Sequence, residues 1–151
     1  MIKSFGIHIK AKNYANSRAF YEGLGFVSVF EYGPDKKVKE GYSGVVFEVG
    51  GAKIEIADGH RAVKLEVFGR PVLDSKISLM IQVDSLADII ARARTMGVEP
   101  AVGVRHYYWN TLEVVLKDPD GIVMVFVEPY TEESAKKLGA SEEFGKPSSA
   151  V

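Results

Sequence analysis

The chain has 151 residues, 46% hydrophobic and 26% charged, the composition of one globular domain rather than of a disordered or membrane-embedded segment. Nineteen basic residues against twenty acidic ones leave a net charge of -1, without the basic excess that a nucleic-acid partner demands. The absence of cysteine excludes disulfides, thiolate nucleophiles and sulfur-held metals, so any metal would rest on His, Asp or Glu. No run approaches the roughly 18 apolar residues of a membrane span. The opening MIKSFGIHIK lacks the continuous apolar stretch of a secretory leader, and a cytoplasmic location is the expectation.

The first element is a short strand in which Ile7 and Ile9 alternate with Gly6, His8 and Lys10, the period of a half-buried strand. A helix follows: Asn13 or Asn16 can cap it, Ala19, Phe20 and Leu24 form its apolar stripe, and Gly25 stops it. Three further strands are expected, at 26–32, 43–49 and 50–58, the last two joined by a hairpin at Gly50 and Gly51.

Residues 78–98 repeat the grammar of 6–26, with Ile81 falling on Ile9, Gly97 on Gly25 and Val98 on Phe26. Ile77, Leu79, Ile81 and Val83 alternate as a strand; Ser85 and Asp88 make a capping-box-like start; Leu86, Ile89, Ile90 and Ala93 form the stripe of a second helix. Strands at 99–105 and 111–117 follow, and residues 120–128 repeat 50–58 so that Gly121 answers Gly51 and Val125 answers Glu55. The chain is therefore a duplicated βαβββ unit of the α+β class: a first module over 1–57, a linker over 58–75, a second module over 76–130, and over 131–151 a short helix and a loose tail.

The stretch Ser17, Phe20, Tyr21, Leu24, Gly25 and Phe26, followed about a hundred residues later by the Asp118-Pro119-Asp120-Gly121 turn, resembles the vicinal oxygen chelate superfamily of glyoxalase I, bleomycin-resistance proteins and extradiol dioxygenases. The resemblance covers about residues 4–130. It implies that the modules form a cupped mixed β-sheet with helices on the outer face, and that the cup holds either a divalent metal or an organic ligand. The four metal-ligand positions of the superfamily fall here on Gly6, Glu55, Ser78 and Val125. Of these only Glu55 is a good donor, below the three protein ligands usual for a catalytic ion.

The reading preferred from these residues is a metal-free protein, with no cofactor, that binds a small organic ligand in the cup. His8, Lys53, Glu55, Ser78 and Gln82 would line it, with Tyr108 and Trp109 as stacking walls; the resemblance also implies a homodimer. The alternative is a metal-dependent lyase, isomerase or dioxygenase in which His8 and Glu55 are ligands, His8 standing one rung from Gly6 on the same strand face. A plainer possibility is a solvated sheet face with Glu55 paired to Lys53 or Lys10. The Asp118–Gly121 motif reads as a turn, since a calcium loop would need further ligands and a glutamate at its twelfth position.

Overall fold

The computed structural model describes residues 1–149, which fall into two compact units. The first comprises Met1–Leu73 with Pro119–Gly121, the second Asp74–Asp118 with Ile122 onward. No helix among the described residues is long and apolar enough to cross a membrane.

In the first unit β1 (Phe5–Lys10), α1 (Tyr14–Gly23), β2 (Val27–Tyr32), β3 (Gly44–Val49), β4 (Ala52–Ala57) and a short α2 (Leu65–Phe68) follow in order. The strands form a four-stranded sheet ordered β1-β4-β3-β2, parallel between β1 and β4 and antiparallel elsewhere. Asn13 is the cap of α1, its side chain accepting from the Asn16 amide at 3.0 Å, and Gly25 takes the left-handed conformation at φ 99° that ends the helix. Phe20, Tyr21 and Leu24 are buried together with Ile9, Val45, Phe47, Ile54 and Ile56 of the sheet, and Tyr21 stacks on Phe47 at 5.8 Å, so one sheet face is the core. Alternation then sends Gly6, His8 and Lys10, with Lys53 and Glu55, to the face opposite α1.

Two motifs far apart in the chain meet in this unit. The Asp120 carboxylate accepts from the Ser17 hydroxyl at 3.1 Å and from the Lys12 amide at 2.9 Å. Ser17 is fully buried, so this bond satisfies a hydroxyl that would otherwise cost about 1–3 kcal/mol to desolvate. The segment expected as a linker over 58–75 is partly ordered: it contains α2, and Phe68 is buried at 4% exposure. That one large side chain anchors a segment whose polar composition carries no periodic signal.

In the second unit β5 (Leu79–Gln82), α3 (Leu86–Thr95), β6 (Val102–Tyr107), β7 (Thr111–Lys117), β8 (Val123–Pro129), α4 (Glu132–Leu138) and β9 (Ser141–Phe144) follow. Their sheet is ordered β5-β8-β7-β6-β9, so the mixed sheet expected from the repeat is two mixed sheets of four and five strands. The Ser85 side chain caps α3 by accepting from the Asp88 amide at 3.1 Å, and buried Glu128 takes the Leu86 amide at 2.6 Å, satisfying two of the amides orphaned at a helix start.

The parallel pairings repeat between the units at positions that correspond in the duplicated sequence. His8 lies opposite Glu55 on β1 and β4, and Met80 opposite Val125 on β5 and β8.

The expectation of a loose tail after Gly139 is corrected at 141–144, where β9 runs parallel to β6. The reason is tertiary: Phe144 stacks on Tyr107 at 5.4 Å, the Arg105 guanidinium lies 5.0 Å over the Phe144 ring, and Glu142 reaches His106 Nδ1 at 2.6 Å. A four-residue strand that covers an edge gains its stability from such partners rather than from its own pattern.

Candidate functional site

The polar rung of the first sheet is built around Glu55. His8 Nε2 stands 3.2 Å from Glu55 Oε2, the two residues being direct neighbours on parallel strands. On the other side of the imidazole, Lys10 Nζ lies 3.4 Å from His8 Nδ1. An ammonium can only donate, so Nδ1 is the acceptor and the proton on Nε2 points at Glu55. Burial lowers the His8 pKa below its ordinary value; Glu55 pulls it up while Lys10 and His60 push it further down. His8 is thus neutral near pH 7, and its contact with Glu55 is a hydrogen bond to a carboxylate rather than an ion pair.

Glu55 has a second neighbour to which the sequence alone does not point. Tyr32, at the end of β2, brings its phenol beside the same carboxylate. Burial first, and then the Glu55 charge, raise the Tyr32 pKa well above the ordinary phenol value. The ring reaches Glu55 by crossing over Gly44, its direct cross-strand neighbour. A Cβ at Gly44 would lie 2.1 Å from Tyr32 Cζ, so only glycine leaves that path open.

Tyr42 meets Tyr32 edge to face at 5.8 Å, and Phe30 tilts against it at 6.1 Å. His60 stands edge to face with His8 at 5.3 Å. Around Glu55 the face opposite α1 therefore carries a neutral imidazole, a phenol, Lys10 and a group of rings, with Lys53 and Glu48 on the adjacent rung.

Of the residues singled out from the sequence, His8 and Glu55 are in direct contact. Lys53 is exposed on the adjacent rung, opposite Gly6 and Glu48. Neither Lys53 nor Lys10 pairs with Glu55 in an ion pair among the described residues, so the solvated face with those pairings is not what forms.

The other four lie in the second unit. Ser78 is exposed just before β5, and Gln82 is exposed at its end. Tyr108 and Trp109 occupy the turn between β6 and β7, 47% and 52% exposed. Trp109 stacks on Tyr107 at 4.6 Å with an interplanar angle of 13° and donates Nε1 to Glu113 at 3.2 Å. One face of the indole is thus already covered by the chain's own tyrosine.

Tyr32 and Tyr42 escaped the sequence reading because their roles depend on a cross-strand glycine and on register. The juxtaposition of Tyr32 with Gly44 in the β2–β3 pair is the only signal, and it is visible only once the pairing is known.

Among the described residues no group of three or more His, Asp or Glu side chains is placed to hold a divalent ion. The Lys10 ammonium beside His8 adds a like charge where a cation would have to sit.

A two-layer α+β unit with this βαβββ order and parallel first and last strands defines a recognisable class. The chain belongs to the glyoxalase/bleomycin resistance protein/dioxygenase superfamily, whose family model matches residues 7–126. Among solved structures it is similar to a mutant of FosX, the genomically encoded fosfomycin resistance protein of Listeria monocytogenes, in complex with Mn(II) and 1S,2S-dihydroxypropylphosphonic acid: 18% identity, 91% of this chain and 99% of that one, TM-score 0.63. It is also similar to a bleomycin-binding protein in complex with bleomycin, at 20% identity over 83% of this chain and 97% of that one, TM-score 0.57. A bleomycin resistance determinant encoded on transposon Tn5 matches at 20% identity over 87% and 99%, TM-score 0.55. No curated protein matches the chain.

Proposed function

We propose that the protein binds a small organic molecule on the polar face of its first sheet, without a metal. The observation that supports this most is the placing of Glu55: one of its oxygens meets the His8 imidazole, and the Tyr32 phenol stands beside it, which leaves its other oxygen and a group of rings for a ligand. A cationic or hydrogen-bond-donating group on the ligand would meet Glu55, and a flat portion would meet Phe30, Tyr32 and Tyr42. Lys53 extends the same face; Ser78, Gln82, Tyr108 and Trp109 are proposed as ligand-binding residues of the second unit by itself. A homodimer and a cytoplasmic location complete the reading.

The neighbour with Mn(II) in its structure supports a second reading, a metal-dependent lyase, isomerase or dioxygenase with His8 and Glu55 as ligands.

Thermal unfolding in the presence of a panel of small organic compounds that includes bleomycin tests the first reading. A ligand held at about 100 times its Kd adds about 2.7 kcal/mol to folding stability. At least one compound is expected to raise the melting temperature of the wild type and to lose that effect in Glu55→Gln. A panel without any stabilising compound would overturn the reading.

A further inference from the structure

The second unit carries a groove on a different set of elements, with a volume of about 570 Å³. That size lies within the range of about 300–1,000 Å³ found for small-molecule sites. Its walls are α3, β6, the end of α4 and β9. Much of this wall lies beyond the residues matched by the family model, which end at 126.

Three cationic side chains line it, Arg94 from α3, Arg105 from β6 and Lys137 from α4, against the single carboxylate of Glu143. Arg94 is held at 3.3 Å by Glu99 in an exposed pair, worth at most about 1 kcal/mol and easily exchanged. Arg105 rests on the Phe144 ring, and neither it nor Lys137 is in an ion pair among the described residues. Gly103 lines the same groove, and a Cβ there would meet nothing within 4 Å. Val104 and Ile90, both largely buried, contribute to an apolar floor.

Two guanidinium groups and an ammonium lining one groove with an apolar floor match a doubly charged oxyanion attached to a hydrophobic body. We propose that this groove is a second ligand site and that it takes an organic phosphate monoester. The phosphoryl group sits among Arg94, Arg105 and Lys137, and the organic portion lies along the β6 floor past Gly103. The site is independent of the Glu55 face.

The test is titration of the full chain with phenyl phosphate at physiological chloride, followed by calorimetry and by amide chemical shifts, with inorganic phosphate in parallel. The expected result is saturable binding at one phenyl phosphate per chain, with shifts on β6, α4 and β9, and inorganic phosphate at least tenfold weaker. The double variant Arg94→Gln/Lys137→Gln is expected to weaken phenyl phosphate at least tenfold. Gly103→Leu, which fills open space and leaves the charges in place, is expected to abolish binding, while Glu55→Gln leaves it unchanged.

Absence of saturable binding, equal affinity for inorganic phosphate, or insensitivity to Gly103→Leu in a variant whose spectrum shows it folded would each overturn the proposal. Loss of binding in Glu55→Gln would do the same by moving the ligand to the other site.

Discussion

The two halves of the repeat place the same rung of their sheets to opposite uses. Where β1 and β4 set His8 beside Glu55, β5 and β8 set Met80 beside Val125. The backbone pairing is identical in kind, parallel and in matching register, so the difference lies wholly in the side chains. In the first unit the rung is a hydrogen-bonded polar pair joined by Tyr32; in the second it offers no ionisable group. Duplication preserves the scaffold because the core alternation fixes register, while the opposite face is free to diverge. A site is therefore to be sought on one unit's polar rung rather than assumed to be shared evenly.

The glycines of the two equivalent hairpins separate the halves most sharply. Gly121 has φ 90°, and a Cβ there would lie 2.3 Å from the Val72 carbonyl oxygen, whereas at its repeat partner Gly51 a Cβ meets nothing within 4 Å. Gly121→Ala combines left-handed strain with a backbone clash and is expected to cost at least about 2 kcal/mol. Gly51→Ala should stay within about 0.5 kcal/mol of wild type. Urea unfolding of the two variants compares them directly, and equal losses would break the distinction.

A smaller effect, about 1–3 kcal/mol, is expected for Gly44→Ala, which evicts the Tyr32 ring from its path to Glu55. The same unfolding experiment measures it. Gly103→Ala on β6, where no neighbour stands within 4 Å, is the control from the second unit and should be near neutral.

The polar rung also makes stability depend on pH in one direction. Because burial depresses the folded-state pKa of His8 below the ordinary histidine value of 6.5, the unfolded chain takes up a proton first as pH falls. His8 therefore withdraws stability as pH drops through 6.5, and its effect levels off below the depressed folded value. Unfolding of His8→Gln at pH 7.5, 6.0 and 5.0 is expected to show a flatter decline than wild type; an identical decline would mean that His8 is not buried in its neutral form. Met80→Gln, at the matching rung of the second sheet, should leave the pH profile unchanged.

The finest of these effects is spectroscopic. Tyr32 ionises well above the ordinary phenol range, chiefly through burial and secondly through Glu55. In Glu55→Gln its ultraviolet titration should move down while staying above that of an exposed tyrosine. No movement would remove Glu55 as its neighbour.

Much of this scaffold is legible in the sequence because it is local or periodic. The alternation at Ile7, Ile9, Leu79 and Ile81, the cap at Ser85 and the stops at Gly25 and Gly97 each follow from a few adjacent residues, and the repeat shows which positions of the two halves correspond. What escapes is long-range. Asp120 serves Ser17 across 103 positions of sequence; the motif shows that both residues are present but not that they touch. β9 forms because Phe144 and Glu142 find Tyr107 and His106, and Ser141–Phe144 has no strand pattern of its own. At the site, His8 and Glu55 are both readable as candidates, but their adjacency needs the parallel β1–β4 pairing, and Tyr32 depends on the empty space above Gly44.

The central claim is that Glu55 is engaged by protein donors and belongs to an organic-ligand face rather than to a metal centre. Elemental analysis of the full chain, purified without chelator, tests it most directly. The account predicts divalent metal far below one ion per chain, and the same trace amount in Glu55→Ala. One tightly held ion per chain in the wild type, absent from Glu55→Ala, would contradict it.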